Sequence, residues 1–161
     1  MRTMTIGTSL LAVVLGCRAT PVTLDPAHAA AMRDSVTQMA AAIAQDLARA
    51  GPSAWLQYFE DTPAFFMASD GQMLFPTRDS ADILVGGLAT RISQIVLDWQ
   101  DIRVEPIAPG LAVMAAPYHE VVTDTAGAQT SFGGFFTGLA THSTVGWQLR
   151  NLHWSSPVPA Q

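Results

Sequence analysis

The chain has 161 residues, a formal net charge of −5 and a hydrophobic content of 49%. This length allows one domain with a substantial core. All eight basic residues are arginine, which excludes Schiff-base lysine chemistry and a lysine-dependent phosphate loop. The acidic balance, without a basic cluster, also argues against nucleic acid as a partner.

The N-terminal segment has the pattern of an export signal. Arg2 supplies a positive charge, and an apolar run from Ile6 to Leu15 follows it. A run of about 10 residues is too short to span a bilayer and is typical of a signal-peptide core.

The end of this segment, Val14-Leu15-Gly16-Cys17, resembles a bacterial lipobox. The resemblance implies a lipoprotein signal peptide over residues 1–16 and lipidation of Cys17, whose thiol would accept the diacylglycerol. It also implies a lipid-anchored protein of the cell envelope, at the outer membrane if the cell is Gram-negative. An ordinary export signal with an incidental cysteine and a cytosolic start are the alternatives. Cleavage before Cys17 and acylation of its thiol would leave no free cysteine for disulfides or thiolate metal sites.

A tether over residues 17–26 leads into a predicted helix. Asp25 can cap the helix and Pro26 suits its first position. Apolar residues then recur at helical spacing until Gly51-Pro52, which ends the helix; they are Met32, Val36, Met39, Ile43 and Leu47. Ser53 can cap a second, shorter helix.

Asp70-Gly71 lies between two short apolar runs, 64–68 and 72–75, and this pattern predicts a β-hairpin. Asp79 is predicted to open a third helix, with Asp82 three residues later as part of an imperfect capping box. The apolar side of this helix is formed by Ile83, Leu84, Leu88, Ile92 and Ile95.

From Leu97 onward the apolar pattern has a period of two. Pro117 marks a bulge, a bend or an edge position, and Gly133-Gly134 predict strong curvature. Short turns between long runs predict an antiparallel meander, with strands at 97–108, 111–123, 129–141 and 146–155. Residues 158–161 are predicted to form a mobile tail.

This order of elements resembles the SnoaL-like, nuclear-transport-factor-2-like (NTF2-like) superfamily over residues 27–157. The marks are YFEDTPAFFMASDG (58–71), IRVEPIAPGLAVM (102–114), GGFFTGLA (133–140) and GWQLRNLHWSSP (146–157). The resemblance implies an α+β fold, in which a strongly bent antiparallel sheet forms a cone-shaped half-barrel closed by N-terminal helices. The cone would hold an apolar pocket. Because such cones serve isomerases, cyclases, dehydratases and binding proteins, the fold alone does not decide the chemistry.

The last strand provides the first candidate site residues. Strand alternation separates two faces, and the resemblance turns inward the face that carries Trp147, Leu149, Asn151, His153 and Ser155. His153 would then be a neutral imidazole in an apolar pocket, able to act as a general base or hydrogen-bond partner. The alternative is a core or rim histidine without a chemical role.

Glu120 and Tyr58 complete the candidate catalytic set. Glu120 would form an acid–base dyad with His153 if it points inward, although the irregularity at Pro117 leaves its facing open. Tyr58, near the expected pocket mouth, could donate a hydrogen bond to a ligand oxygen. A solvated strand position and a packing tyrosine are the respective alternatives. The candidate ligand-binding residues are Trp147, Asn151, His153, Tyr58, Phe66 and Trp99.

Two kinds of chemistry are disfavoured. In ketosteroid isomerases the proton-shuttling carboxylate lies on the first hairpin, whereas the inward candidates here are Phe66, Met67 and Ala68, and Asp70 belongs to the turn. The histidines have no spacing typical of a metal site. We therefore predict neither a metal nor a cofactor.

These observations favour an envelope lipoprotein with an apolar pocket that binds a small apolar or amphipathic molecule. The alternative is a cofactor-independent acid–base enzyme of the isomerase, cyclase or dehydratase type, which would use the same pocket. A second alternative is a dimeric assembly domain. In that case Arg150, Leu152 and Trp154 would lie on the outer sheet face and form a homodimer interface.

Overall fold

The structure, a computed structural model, describes residues 23–157. The predicted signal peptide, the lipidation site at Cys17, most of the tether and the C-terminal tail lie outside the described residues. Two α-helices, one 3-10 helix and seven strands make up the described part. The helical elements are α1 (Pro26–Ala50), the 3-10 helix (Gly51–Gln57) and α2 (Arg78–Ala89); the strands are β1 (Phe66–Ser69), β2 (Gln72–Phe75), β3 (Ile92–Trp99), β4 (Arg103–Ala108), β5 (Leu111–Asp124), β6 (Gln129–Ser143) and β7 (Gly146–Ser155).

The seven strands form one curved sheet in the order β2-β1-β7-β6-β5-β3, and β4 also pairs with β5. Every pairing is antiparallel except that of β1 with β7, which is parallel. The helices pack against this sheet, mainly α1 against β3. The predicted α+β class, with a bent sheet covered by helices, is confirmed.

The predicted strand at 97–108 is wrong in its extent, because it is divided between β3 and β4. The chain breaks at Asp101, whose φ is 41°, and the two strands then pair with successive halves of β5. Pro117 lies opposite this break, between the partners of Trp99 and Arg103. Its missing N–H therefore leaves no ladder hydrogen bond unmade on that edge.

α1 follows the predicted apolar stripe, and the Asp25 side chain caps it by accepting a hydrogen bond from the His28 amide (3.0 Å). The helix begins beside Trp147 and Gly110, where His28 lines a small cavity of about 210 Å³. It ends at Ala50, and the following Gly51, with a φ of 63°, lies against the backbone of Ser93. The two ends of α1 therefore mark the two ends of the fold. Neither α1 nor α2 is long and apolar enough to span a membrane.

The predictions for the other helices need correction. The second helix is a 3-10 helix. α2 is capped by Thr77, which forms a capping box with Ser80, rather than opening at Asp79. It ends at Ala89, and the two isoleucines assigned to it, Ile92 and Ile95, belong to β3.

A β-bulge at Arg150 changes the facing of the last strand. Leu139 pairs with Asn151, but Ala140 pairs with Leu149, so Arg150 is an extra residue in β7. Leu149 and Leu152 are consequently both buried, although residues three apart in a regular strand lie on opposite faces. The inward facing predicted for residues after the bulge is therefore wrong.

The predicted composition of the outer face is wrong for the same reason. Leu152 is 1% exposed, Trp154 belongs to an interior aromatic cluster, and Arg150 donates to the Glu60 carboxylate (2.7 Å). None of these side chains offers a free surface to a second copy. The homodimer itself stays a prediction.

Gly134 allows the end of β7 to cross closely over β6. A Cβ at this position would lie 1.8 Å from the backbone oxygen of Ser155 and 2.9 Å from its carbonyl carbon. A backbone contact cannot be relieved by a rotamer change. Any larger residue must therefore displace the strand end that leads into Ser156.

Gly134→Ala is expected to lower the free energy of unfolding by about 2 kcal/mol or more, because the added methyl group displaces β7. Gly86→Ala is the matched control: its Cβ would meet nothing within 4 Å, and alanine in a helix should stabilise α2 by about 0.5–1 kcal/mol. Urea unfolding of both variants measures the two effects. Equal stability of Gly134→Ala and wild type would contradict the crossing.

Candidate functional site

A cavity of about 390 Å³ lies at the end of the fold where α1 stops. The inner face of the sheet, the 3-10 helix and α2 surround it. Its wall is mainly apolar, and six of its lining residues are aromatic: Trp55, Phe59, Phe75, Tyr118, Phe132 and Trp154. This volume and lining are typical of sites for small organic molecules.

Trp154 is the centre of the aromatic wall. Its ring meets Tyr118 edge to face at 4.6 Å, Trp55 edge to face at 5.7 Å and Phe136 at 4.7 Å between centroids. Trp99 stacks on it from the core side at 5.6 Å. These contacts fix the indole by packing on several sides, so the aromatic wall around Trp154 is preorganised.

The sheet supplies the cavity with its polar groups. Glu120 and Tyr118 lie two residues apart on the inner face of β5, and Asp70 is at the turn between β1 and β2. Ser69, Thr130 and Ser156 complete the polar lining. Among residues 23–157, the charged residues that line the cavity are all acidic, and no arginine or histidine contributes.

Glu120 is the polar residue whose position was left open by the sequence. Its side chain lines the cavity, and no group among residues 23–157 hydrogen-bonds its carboxyl. Burial raises the pKa of this carboxyl, an effect that the nearby His119 partly opposes. A carboxyl with these properties can hold a proton closer to neutral pH than an exposed glutamate can.

Tyr118 and Asp70 respond differently to their surroundings. Burial raises the pKa of Tyr118, and the charge of Glu120 raises it further. The backbone amide of Ser156, which donates to the Asp70 carboxylate at 2.6 Å, lowers the pKa of Asp70. Asp70 in turn donates its backbone amide to Trp154 (3.1 Å). The first hairpin is thereby fixed to the end of β7.

Tyr58 does not reach the cavity. Its hydroxyl donates to Asp46 (2.7 Å), which also accepts from Gln57 (2.5 Å) and Arg49 (2.5 Å). Burial and this hydrogen bond raise the pKa of Tyr58 to about 12. The hydroxyl joins α1 to the segment after the 3-10 helix, as expected for the packing alternative.

The other predicted ligand-binding residues are dispersed. Phe66 is 40% exposed, and Asn151 donates to the backbone oxygen of Ala64 (2.8 Å). Trp147 lines the small cavity at the opposite end. Trp99 donates to the Ala40 oxygen (3.0 Å) behind the cavity floor.

His153 is exposed, because the bulge turns its side chain to the face opposite Trp154. It lines neither cavity, and it cannot form the predicted dyad with the inward-facing Glu120. Of the predicted catalytic residues, only Glu120 lies at the cavity. Residues 23–157 contain no cluster of three metal-ligating side chains.

Sequence reasoning missed Trp154, Tyr118 and Asp70 as lining residues. Tyr118 and Glu120 share one face by simple alternation, so this pair could have been found if β5 had been treated as regular through Pro117. Trp154 could not be placed in this way, because the bulge has no local sequence signature.

No protein-family profile and no curated protein sequence matches this chain. Solved structures do match. An NTF2-like superfamily protein from Salmonella enterica subsp. enterica serovar Typhimurium str. LT2 has a TM-score of 0.68 at 14% identity, over 82% of this chain and 95% of that one. A protein of the NTF2-like family from Streptomyces avermitilis, proposed to be a dehydratase, has a TM-score of 0.64 at 15% identity, over 78% and 96% of the two chains.

A proposed scytalone dehydratase from Novosphingobium aromaticivorans DSM 12444 has a TM-score of 0.65 at 11% identity, over 78% of this chain and 83% of that one. At these sequence identities, the structural similarity shows a shared fold and nothing about activity. The resemblance noted in the sequence is confirmed at that level: the chain has an NTF2-like fold.

Glu120→Gln is expected to raise the urea midpoint at about pH 7.5. Because burial raises the pKa of Glu120 in the folded state, stability declines as the pH rises from the ordinary pKa to the raised one, and above both values the folded protein carries an uncompensated buried charge. Glutamine removes that loss. Below the ordinary pKa of 4.5 both states are protonated, so the difference between variant and wild type should shrink. A urea midpoint for Glu120→Gln below that of wild type at pH 7.5 would contradict the idea that burial of the Glu120 carboxylate is destabilising.

Proposed function

We propose that the chain is a binding module whose 390 Å³ cavity holds a small apolar or amphipathic molecule. The observation that carries the proposal is the combination of six aromatic side chains with the carboxyl of Glu120, which has no hydrogen-bond partner among residues 23–157. The aromatic wall would supply apolar contact, and the carboxyl would orient the ligand through its polar group.

The desolvation of the Glu120 carboxyl supports this proposal. A carboxyl in an apolar cavity is destabilising unless a partner compensates for its desolvation. Its neighbours along the wall are apolar, including Ile95 and Val122. The carboxyl is therefore better explained by an interaction with a ligand than by stability.

Thr130→Trp is expected to weaken binding of N-phenyl-1-naphthylamine, a neutral apolar fluorescent probe, by about tenfold or more. Thr130 is exposed at the cavity rim, so the large ring can occlude the opening without disturbing the core. Ser131→Trp is the matched control, since this exposed neighbour is outside the lining and should bind the probe within about twofold of wild type. Equal loss in both variants, or no saturable binding to wild type, would refute the cavity as the binding site.

The raised pKa of Glu120 favours acid–base catalysis as the second candidate function. Glu120 would accept a proton from a bound substrate, and the Tyr118 hydroxyl could donate a hydrogen bond to an oxygen that becomes negative. Two solved structures with this fold are proposed dehydratases, and dehydration is one reaction that such a pair could serve. His153 has no role in this scheme.

The lipobox resemblance supports a lipid anchor at Cys17 and a location at the cell envelope. In the full-length chain expressed in a bacterial cell, Cys17→Ala is expected to abolish incorporation of labelled palmitate and release the protein from membranes. Thr20→Ala, a change three residues away, should leave both properties unchanged. Wild-type protein that takes up no label would contradict the proposed anchor.

A further inference from the structure

The charge of the cavity wall restricts the ligand. Glu120 and Asp70 are acidic, and no arginine or histidine of the described part of the chain lines the cavity. An anionic ligand would enter an apolar space against two carboxylates without a counter-ion, which disfavours carboxylates, phosphates and sulfates strongly. The occupant is therefore neutral or cationic.

The aromatic wall favours a cationic ligand over a neutral one. Trp55, Tyr118 and Trp154 line the cavity together with Glu120, and the Trp154 ring lies within 6 Å of the other two. The faces of aromatic rings attract cations, most strongly when water is excluded. A carboxyl combined with several aromatic rings is a better environment for an ammonium group than for a neutral hydroxyl.

We propose that the ligand is an organic cation, consisting of an apolar body and a protonated amine, whose ammonium group is held by Glu120 and the aromatic wall. This inference rests on the proposed binding function. The Glu120 carboxyl lacks a protein partner among residues 23–157, and an ammonium group would supply the missing hydrogen-bond donor. The apolar body would occupy the part of the cavity lined by Phe59, Phe75 and Val85.

The proposal has a consequence for pH dependence. Of the titratable groups on β5, Tyr118 faces the cavity with Glu120, and His119 lies on the opposite face. Asp124, at the end of the strand, lies outside the lining and accepts hydrogen bonds from the amides of the following turn. Asp70 faces the cavity from the hairpin turn. The flanking strands contribute uncharged residues, including Ile95 of β3 and Phe132 of β6, and α2 contributes Val85 and Leu88. Glu120, whose pKa burial raises above the ordinary 4.5, is therefore the group whose ionisation should strengthen cation binding as the pH rises.

The test compares three ligands with one apolar body: 1-naphthylmethylamine, 1-naphthalenemethanol and 1-naphthoate. Calorimetry with the full-length chain at about pH 7.5 should show the amine binding about tenfold or more tighter than the alcohol, and the carboxylate binding weakest. Lowering the pH to about 4 should weaken binding of the amine but not of the alcohol, because it neutralises Glu120.

Glu120→Gln should bring the affinities of amine and alcohol within about threefold of each other. Glu105→Gln is the control of equal charge change; Glu105 is exposed on β4, 4.0 Å from Arg33, and its loss should preserve the preference. If Glu120→Gln does not fold, the comparison of amine binding to wild type at about pH 7.5 and about pH 4 tests the role of the Glu120 carboxylate instead. Alcohol binding without any preference for the amine would overturn this inference alone, whereas no binding of any of the three compounds would overturn the proposed function with it.

Discussion

Arg150 is an extra residue in β7. It determines which face of the sheet every later side chain of that strand occupies. Glu60 accepts two hydrogen bonds from the Arg150 guanidinium (2.7 and 3.4 Å), so the bulged residue has a half-buried partner beside the sheet. Without the bulge, Leu152 and Trp154 would face solvent and His153 would enter the core. Because a shift of one residue exchanges the two faces of a strand, the aromatic floor of the cavity depends on this local geometry.

The cavity combines a rigid aromatic wall with a carboxyl whose pKa is raised by burial. Trp154 is enclosed by Trp55, Trp99, Tyr118 and Phe136, whereas Glu120 on the neighbouring wall has no partner among the described residues. Destabilising polar groups in an otherwise apolar site are typical of places where function and stability conflict. The contrast separates the part of the site that builds the fold from the part available for chemistry.

The sequence predicted most of the elements but few of the site residues. Hairpin chemistry at Asp70-Gly71 and the apolar stripe of α1 depend on neighbouring residues, so local reasoning found them. Prediction of the site failed where the direction of a side chain depended on pairing with another strand. The bulge that turns His153 outward is defined by the pairing of β7 with Leu139 and Ala140. Glu120 was identified as a candidate but not placed, because the break between β3 and β4 that accommodates Pro117 is likewise a tertiary feature.

The length of α1 sets the distance between the cavity and the end of the domain that leads toward Cys17. The helix has 25 residues, about 37 Å, and the cavity lies beyond its last turn while the chain toward Cys17 leaves from its first. The eight residues from Arg18 to Asp25 can extend over at most about 28 Å. If Cys17 is acylated as proposed, the anchored end and the cavity end of the domain lie about 37 Å apart along α1. The cavity would then open toward the aqueous compartment when α1 stands upright on the bilayer, and would meet the lipid surface only when α1 lies flat against it.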